Sequence, residues 1–469
     1  MKLKCPREGC GHVWEYYGDA MDTTSCPKCG TTMSIKKAFE RARGQTLSLP
    51  ERAVKTKRKK DKNMSKCLVC GMAIEPFMSF GKMPLANGFL TKEEFEVEYF
   101  FELKVAFCQN CNMLQLTNPP QREMMFNENY PFFSGTSELM ALHFEEFANM
   151  VKKEYPHYDN PFVVEIGSND GIMLKHFANS SFRHLGIEPS SNVAEVAIEN
   201  GINTICEFFD EALAKKIVRG YGHADVFLGA NVMCHIPYLH SIIEGIKILL
   251  KTDGVAIFED PYLGAVLRKT SYDQIYDEHT FLFSVTSIKY LFEMHDMELI
   301  DVESQKTHGG SMRYTVARKG MRPVTANVKL QLLMEKLDGF DNMGTYDTFK
   351  ESCERSRREL ITLLENIKNE GKRVVGYAAT SKSTIILNYC GLSTKDIEFI
   401  CDTTPIKQGK FSPGMHIPVL PHEEFTNDYP DYALLFAYNH MEEIMAKEQK
   451  FKDNGGKWIV YVPTVGVLE

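Results

Sequence analysis

PFVVEIGSNDG, residues 161–171, is an apolar run that carries one acid, Glu165, and breaks into a turn with glycines at 167 and 171. Phe162, Val163, Val164 and Ile166 favour a strand buried on both faces. Gly167 and Gly171 permit the backbone angles that let a turn approach a ligand closely. Outward from this stretch, the apolar segments RHLGIEP, NTICEFF, ADVFLGAN and GVAIFED alternate with helical stretches. Such alternation predicts an α/β fold with a parallel sheet and crossover helices. MELIDVESQ and SMRYTVARK follow without a helix between them and suit a closing antiparallel hairpin.

Ligands of such sheets sit at the carboxyl ends of the strands. The acid, the glycines and a delayed second acid form the pattern of a class I, Rossmann-like S-adenosylmethionine (SAM) methyltransferase core. Glu165, Gly167, Asn169 and Gly171 supply the first turn. Glu188 and Pro189, in GIEPS, end the second strand, with Glu188 standing 21 residues after Gly167 to accept the ribose hydroxyls. Ala230 and Asn231 end the fourth strand and complete the predicted cofactor set. A nicotinamide dinucleotide site is the alternative, but Asn169 occupies the middle glycine position of G-x-G-x-x-G.

With 469 residues, 43% hydrophobic and 25% charged, the chain has the composition of a soluble multidomain protein. A net charge of −8 argues against a nucleic-acid surface over the whole molecule. The opening MKLKCPREGC has no apolar signal core, and no apolar stretch has bilayer-spanning length, so a cytoplasmic location without membrane contact is expected.

In a reducing compartment, thirteen cysteines read first as thiols or metal ligands. Eight fall in close pairs. Cys67 and Cys70 with Cys108 and Cys111 offer two turns of paired thiolates, a closed tetrahedral shell for structural Zn2+. Cys5, Cys10, Cys26 and Cys29 offer a second zinc set in residues 1–33, read as a zinc ribbon. The stretch 34–63 reads as a short helix followed by a basic linker, where PERAVKTKRKKDKN sets seven Lys or Arg against Glu51 and Asp61. Met64 looks like the start of a second protein, which makes residues 1–63 an accessory fusion. Any nucleic-acid or protein contact is expected only there.

Taken in order, CLVCG, PLANGFL, CQNC, NYPFFSGTS, EIGSNDG, ANVMCHIPYL, YDQIYDEHTFLFS, THGGSMR and NYCGLSTKDIEFICDTTPIKQGKFSPGMHIPVL resemble the sugar-nucleotide C-methyltransferases that make branched deoxysugars. The resemblance covers residues 64–469 and implies a zinc-binding domain at 64–130, a methyltransferase domain at 131–322, a helical connector at 323–370 and a smaller C-terminal α/β domain at 371–469. It implies proton abstraction from C3 of a nucleotide-linked 4-keto-deoxyhexose, followed by attack of the enolate on the methyl of SAM. His279 matches the proposed base, with Tyr276 as the alternative; Glu278, His235 and Tyr130 match the remaining active-site positions. His308, Gly310 and Arg313 of HGGSMR are candidates for the substrate pocket, where a guanidinium suits a diphosphate, with a structural turn as the even alternative. Lys382, in GYAATSKSTIILNY, is expected to face a phosphate, although Ala378 and Ser383 stand where the family commonly has glycine. A different class of function, a nucleic-acid-associated methyltransferase or ligand-binding protein recruited by the ribbon, stays open. Asp273, Asp277 and Glu278 beside the predicted base suit a small substrate better.

Overall fold

A computed structural model describes residues 65–468 except 129, 132, 137 and 156–159, together with four short N-terminal strands. The chain divides into two compact units, Met1–Lys62 and Asn63–Glu469. In the first, β1 (Lys2–Lys4) pairs antiparallel with β2 (Val13–Glu15), and β3 (Thr23–Ser25) with β4 (Thr32–Ser34). Cys5, Cys10, Cys26 and Cys29, and the expected helix and basic linker at 34–63 apart from Ser34, lie outside the described residues.

The second unit opens with β5 (Ser65–Lys66) and β6 (Ala73–Ile74), then β7 (Pro76–Pro84), β8 (Phe100–Cys108) and β9 (Met113–Leu116). The central sheet follows: β10 (Phe162–Ile166), β11 (Arg183–Ile187), β12 (Thr204–Ile205), β13 (Ala224–Ala230) and β14 (Leu250–Pro261). β15 (Phe281–Leu282) leaves it, and β16 (Met297–Gln305) and β17 (Ser311–Arg318) close it. The strand order is β12-β11-β10-β13-β14-β17-β16, parallel except for β17, which runs antiparallel to both its neighbours. This is the predicted doubly wound sheet with its terminal hairpin.

All of β10 is buried, which explains its unbroken apolar run. Phe162, Val164 and Ile166 point to the side packed by Leu213, Ile217, Ile242 and Ile246, while Val163 meets Phe144, Phe147 and Val151 of the helix Glu138–Glu154 on the other. Each such buried side chain contributes about 1.5–3 kcal/mol. The switch of direction between β10 and β13 opens a crevice at the strand ends, where the Gly167 turn lies.

β15 crosses the expected boundary between modules. It pairs with β9, so the zinc-module sheet reads β15-β9-β8-β7. The segment just before β15, residues 276–280, is thereby held against the zinc module. Helices Ala326–Leu337 and Met343–Asn369 form the connector. β18 (Val374–Tyr377), β19 (Ile400–Asp402), β20 (Val419–Pro421), β21 (Tyr432–Leu435), β22 (Lys457–Val460) and β23 (Gly466–Leu468) then form a second α/β sheet, ordered β20-β19-β18-β21-β22-β23.

Candidate active site

At the mouth of the central sheet, the Gly167 turn has a shape that a side chain would spoil. Gly167 has φ +59°, and a Cβ there would stand 2.7 Å from Val232 Cγ2; Gly171 has φ +80°, and its Cβ would stand 2.7 Å from Ile202 Cγ1. Asn169, itself at φ 50°, donates its amide to Glu188 Oε2 at 3.1 Å, and Ser190 N donates to Oε1 at 2.9 Å. Each Glu188 oxygen therefore keeps acceptor capacity for a ribose hydroxyl. Asn169 Oδ1 accepts from Ser134 N and Asp170 Oδ2 from Gly135 N, so the aromatic connector is tied onto the turn. These observations fit a SAM site.

A cavity of about 290 Å³ extends from this turn and collects most of the predicted residues. Tyr130, Gly167, Asn169, Glu188, Pro189, Ala230, Asn231, His235, Tyr276, Glu278, His279, His308 and Lys382 all line it. Glu165 lies behind the turn, buried, with Oε2 lacking a hydrogen-bond partner; burial pushes its carboxyl well above the usual range, and Glu188 and Asp170 add to the effect. Gly171 supports the turn from outside the cavity wall.

Two residues of HGGSMR sit elsewhere. Arg313 on β17 stands opposite Glu259 on β14 and Glu303 on β16. Its Nε and Nη2 reach Glu259 Oε1 at 2.6 and 2.5 Å, its Nη1 reaches Glu303 Oε2 at 3.0 Å, and it stacks over Phe147. With its donors committed to cross-strand carboxylates, Arg313 is a structural ion-pair residue and not a lining residue of the cavity. Gly310, at φ +128°, is a turn glycine whose Cβ would stand 2.6 Å from that of Ala265, and it too lies outside. The structural-turn alternative describes these two residues, while His308 of the same motif faces the cavity and hydrogen-bonds Asn231 Nδ2 at 2.9 Å.

The segment 272–280 organises the chemistry. His279 Nδ1 lies 2.6 Å from the Gln274 carbonyl, so Nδ1 carries the proton and Nε2 the lone pair. Burial, and secondarily the neighbouring His235, holds the His279 pKa well below the usual histidine value, which keeps the ring neutral. His235 lies nearly parallel to it at 5.2 Å between ring centroids, its pKa lowered to about 4 by burial. Tyr276 packs on His279 at 4.1 Å; burial and the nearby Glu278 push its phenol well above the usual range, keeping it protonated. Glu278 accepts from Asn87 Nδ2 at 2.6 Å and Tyr130 hydroxyl at 3.3 Å. Burial raises both Glu278 and Asp277 above the usual carboxylate range.

Asn87, Lys407, Asn439 and His440 line the cavity too and were not singled out from the sequence. Next to Asn87, Ala86 joins three modules: its amide donates to Asp277 Oδ1 at 2.9 Å, and its carbonyl accepts from Thr384 Oγ1 at 2.8 Å. From the C-terminal domain, Lys382 Nζ donates to Asn439 Oδ1 and Lys407 Nζ to the Ala379 carbonyl. Both lysines are buried, and burial lowers both pKa values. Their direct hydrogen-bond partners are neutral, and Asp273 near Lys382, with Asp402 and Glu278 near Lys407, oppose the effect of burial.

Cys67 Sγ lies 3.5 Å from Cys111 Sγ and Cys70 Sγ 3.4 Å from Cys108 Sγ, with all four sulfurs within 4.8 Å of one another. A tetrahedral zinc shell with Zn–S bonds near 2.3 Å needs sulfurs about 3.8 Å apart, and this set fits it with no open position. Zinc here is structural. Among the described residues, no helix is long and apolar enough to cross a membrane.

Three family descriptions match successive parts of the chain: a zinc binding domain at residues 67–126, a methyltransferase domain at 144–302 and a C-methyltransferase C-terminal domain at 306–463. Over 411 residues the chain is 33% identical to C-methyltransferase NovU of Streptomyces niveus, spanning 86% of this chain and 97% of that protein. Two solved structures match over the methyltransferase part at low identity. Magnesium protoporphyrin IX methyltransferase of Synechocystis PCC 6803 with bound SAM matches at TM-score 0.30 and 11% identity, over 38% of this chain and 79% of its own. A SAM-dependent methyltransferase of Clostridium acetobutylicum matches at TM-score 0.30 and 10% identity, over 40% of this chain and 94% of its own.

Proposed function

Since the chain belongs to the SAM-dependent C-methyltransferases, the family of NovU, we propose that it methylates C3 of a nucleotide-linked 4-keto-deoxyhexose in branched-deoxysugar synthesis. The observation that carries this reading is the convergence on one cavity of the Gly167 turn, a neutral histidine and two buried lysines contributed by different modules. SAM supplies an electrophilic methyl group carried on a sulfonium.

The remaining chemistry falls to the chain. A ketone at C4 acidifies the C3–H bond, and His279 Nε2 takes that proton. Its low proton affinity is offset by the acidity of the bound ketone once donors face the oxyanion. Tyr276, held protonated, is a donor and not the base. Tyr130 and Asn87 donate to Glu278, whose carboxylate suits a sugar hydroxyl. Lys382 and Lys407, with the first amides of the helix Ser381–Cys390, suit the diphosphate.

A methyl-transfer assay over a panel of 4-keto-6-deoxy sugar nucleotides tests the substrate class. Methylation of at least one member at carbon is expected. Normal SAM binding with no member methylated would remove this substrate class.

A further inference from the structure

Next to the cavity-lining His235 stands a buried side chain that the proposed reaction does not use. Cys234 lies on the short turn Met233–His235 that follows β13. Its thiol, one ring nitrogen of His235 and one of His279 lie within 4.8 Å of one another. Cys234 is fully buried, and His235 Nε2 is buried without a hydrogen-bond partner. Behind them, Asp260 accepts from the Cys234 amide through Oδ1 at 3.2 Å, while its buried Oδ2 has no partner. One thiolate with two imidazoles is the donor set of borderline and soft cations such as Zn2+ and Cu+. This set differs from Cys67, Cys70, Cys108 and Cys111 in having three donors, which leaves a coordination position toward the cavity that His235 and His279 line.

We propose that Cys234, His235 and His279 form a second, inhibitory site for a thiophilic divalent cation. On binding, the Cys234 thiol releases its proton to solvent, and the thiolate and two imidazole lone pairs bond to the cation with no change of oxidation state. The lone pair of His279 is then committed, so the C3 proton has no acceptor. Binding of SAM at Gly167 and Glu188 is left intact. The inhibitory consequence rests on His279 as the base; occupancy of the site does not.

The test uses the full chain with its structural zinc loaded, titrated with Co2+ and, in parallel, with Zn2+. The parent should take up one more equivalent of Co2+ than Cys234→Ala, with a sulfur-to-cobalt charge-transfer absorption that the variant lacks. His235→Asn, followed by the same absorption and by melting temperature, should lose that equivalent while staying folded. Methyl transfer by the parent should fall about tenfold or more with Zn2+ and recover on mild chelation that spares the structural zinc. Absorption that persists in Cys234→Ala, from exposed Cys206 for example, overturns the site, as does the absence of an added equivalent. An added equivalent that requires Cys234 yet leaves methyl transfer unchanged upholds the site and overturns His279 as the base.

Discussion

His279 Nδ1 lies 2.6 Å from the carbonyl of Gln274, five residues earlier in the same buried segment. That one contact fixes the tautomer and so decides that Nε2 carries the lone pair. Gln274 also donates through Nε2 to the His308 carbonyl at 2.6 Å, which ties His279 to the cavity-lining turn after β16. The zinc module supports the same segment from the other side, through β15 on β9 and Asp277 on Ala86.

Asn87 donates to the ionised form of Glu278, so Asn87→Ala removes a contact that lowers the Glu278 pKa. Losing a hydrogen bond to a charged group costs about 1.5 kcal/mol, or about one pH unit. The acidic limb of the kcat/KM profile should therefore move about one unit to higher pH, while SAM affinity stays unchanged. A uniform loss at all pH values would show that Asn87 does not act through Glu278.

Gly167→Ala places a Cβ 2.7 Å from Val232 Cγ2 in a residue whose φ is +59°. Together, strain and crowding should weaken SAM binding about tenfold or more, measured by equilibrium titration, with a smaller effect on melting temperature.

Arg313→Leu leaves Glu259 buried without its strongest partner. Stability should fall by about 3–5 kcal/mol in denaturant unfolding. The KM for the sugar nucleotide, measured on the folded fraction, should change little. A large KM effect at intact stability would restore a substrate role for this arginine.

Cys108→Ser removes one of the four zinc ligands at the end of β8. Metal analysis should show one zinc fewer than in the parent. Because β9 and β15 extend the same sheet toward His279, kcat should fall along with melting temperature, whereas a chain that merely lost a peripheral cap would keep its kcat.

Much of the fold was legible because β10, β13 and β14 are buried on both faces, which writes continuous runs of Val, Ile and Phe into the sequence. β15 was not. Two residues pairing with a strand more than 150 positions earlier carry no local periodicity. The cofactor turn was readable because glycine spacing and the delayed acid are both local patterns. Arg313 misled because residue type suggests phosphate, while its cross-strand carboxylates become visible only in the register. Asn87 and Lys407 lie inside the recognised motifs PLANGFL and TPIKQGK, yet Asn87 meets Glu278 across 191 positions, a contact no short-range pattern announces.

Under the proposed reaction, His279 generates a C3 carbanion equivalent independently of methyl transfer. That step is tested most directly by incubating the enzyme with a 4-keto-6-deoxy sugar nucleotide in deuterium oxide, with S-adenosylhomocysteine in place of SAM, and following the C3 proton by NMR. Deuterium should enter C3 with the parent and enter at least about a hundredfold more slowly with His279→Ala, at unchanged affinity for S-adenosylhomocysteine. Exchange at equal rates in both proteins, or methylation by the parent with no C3 exchange in either, would rule out His279 as the base.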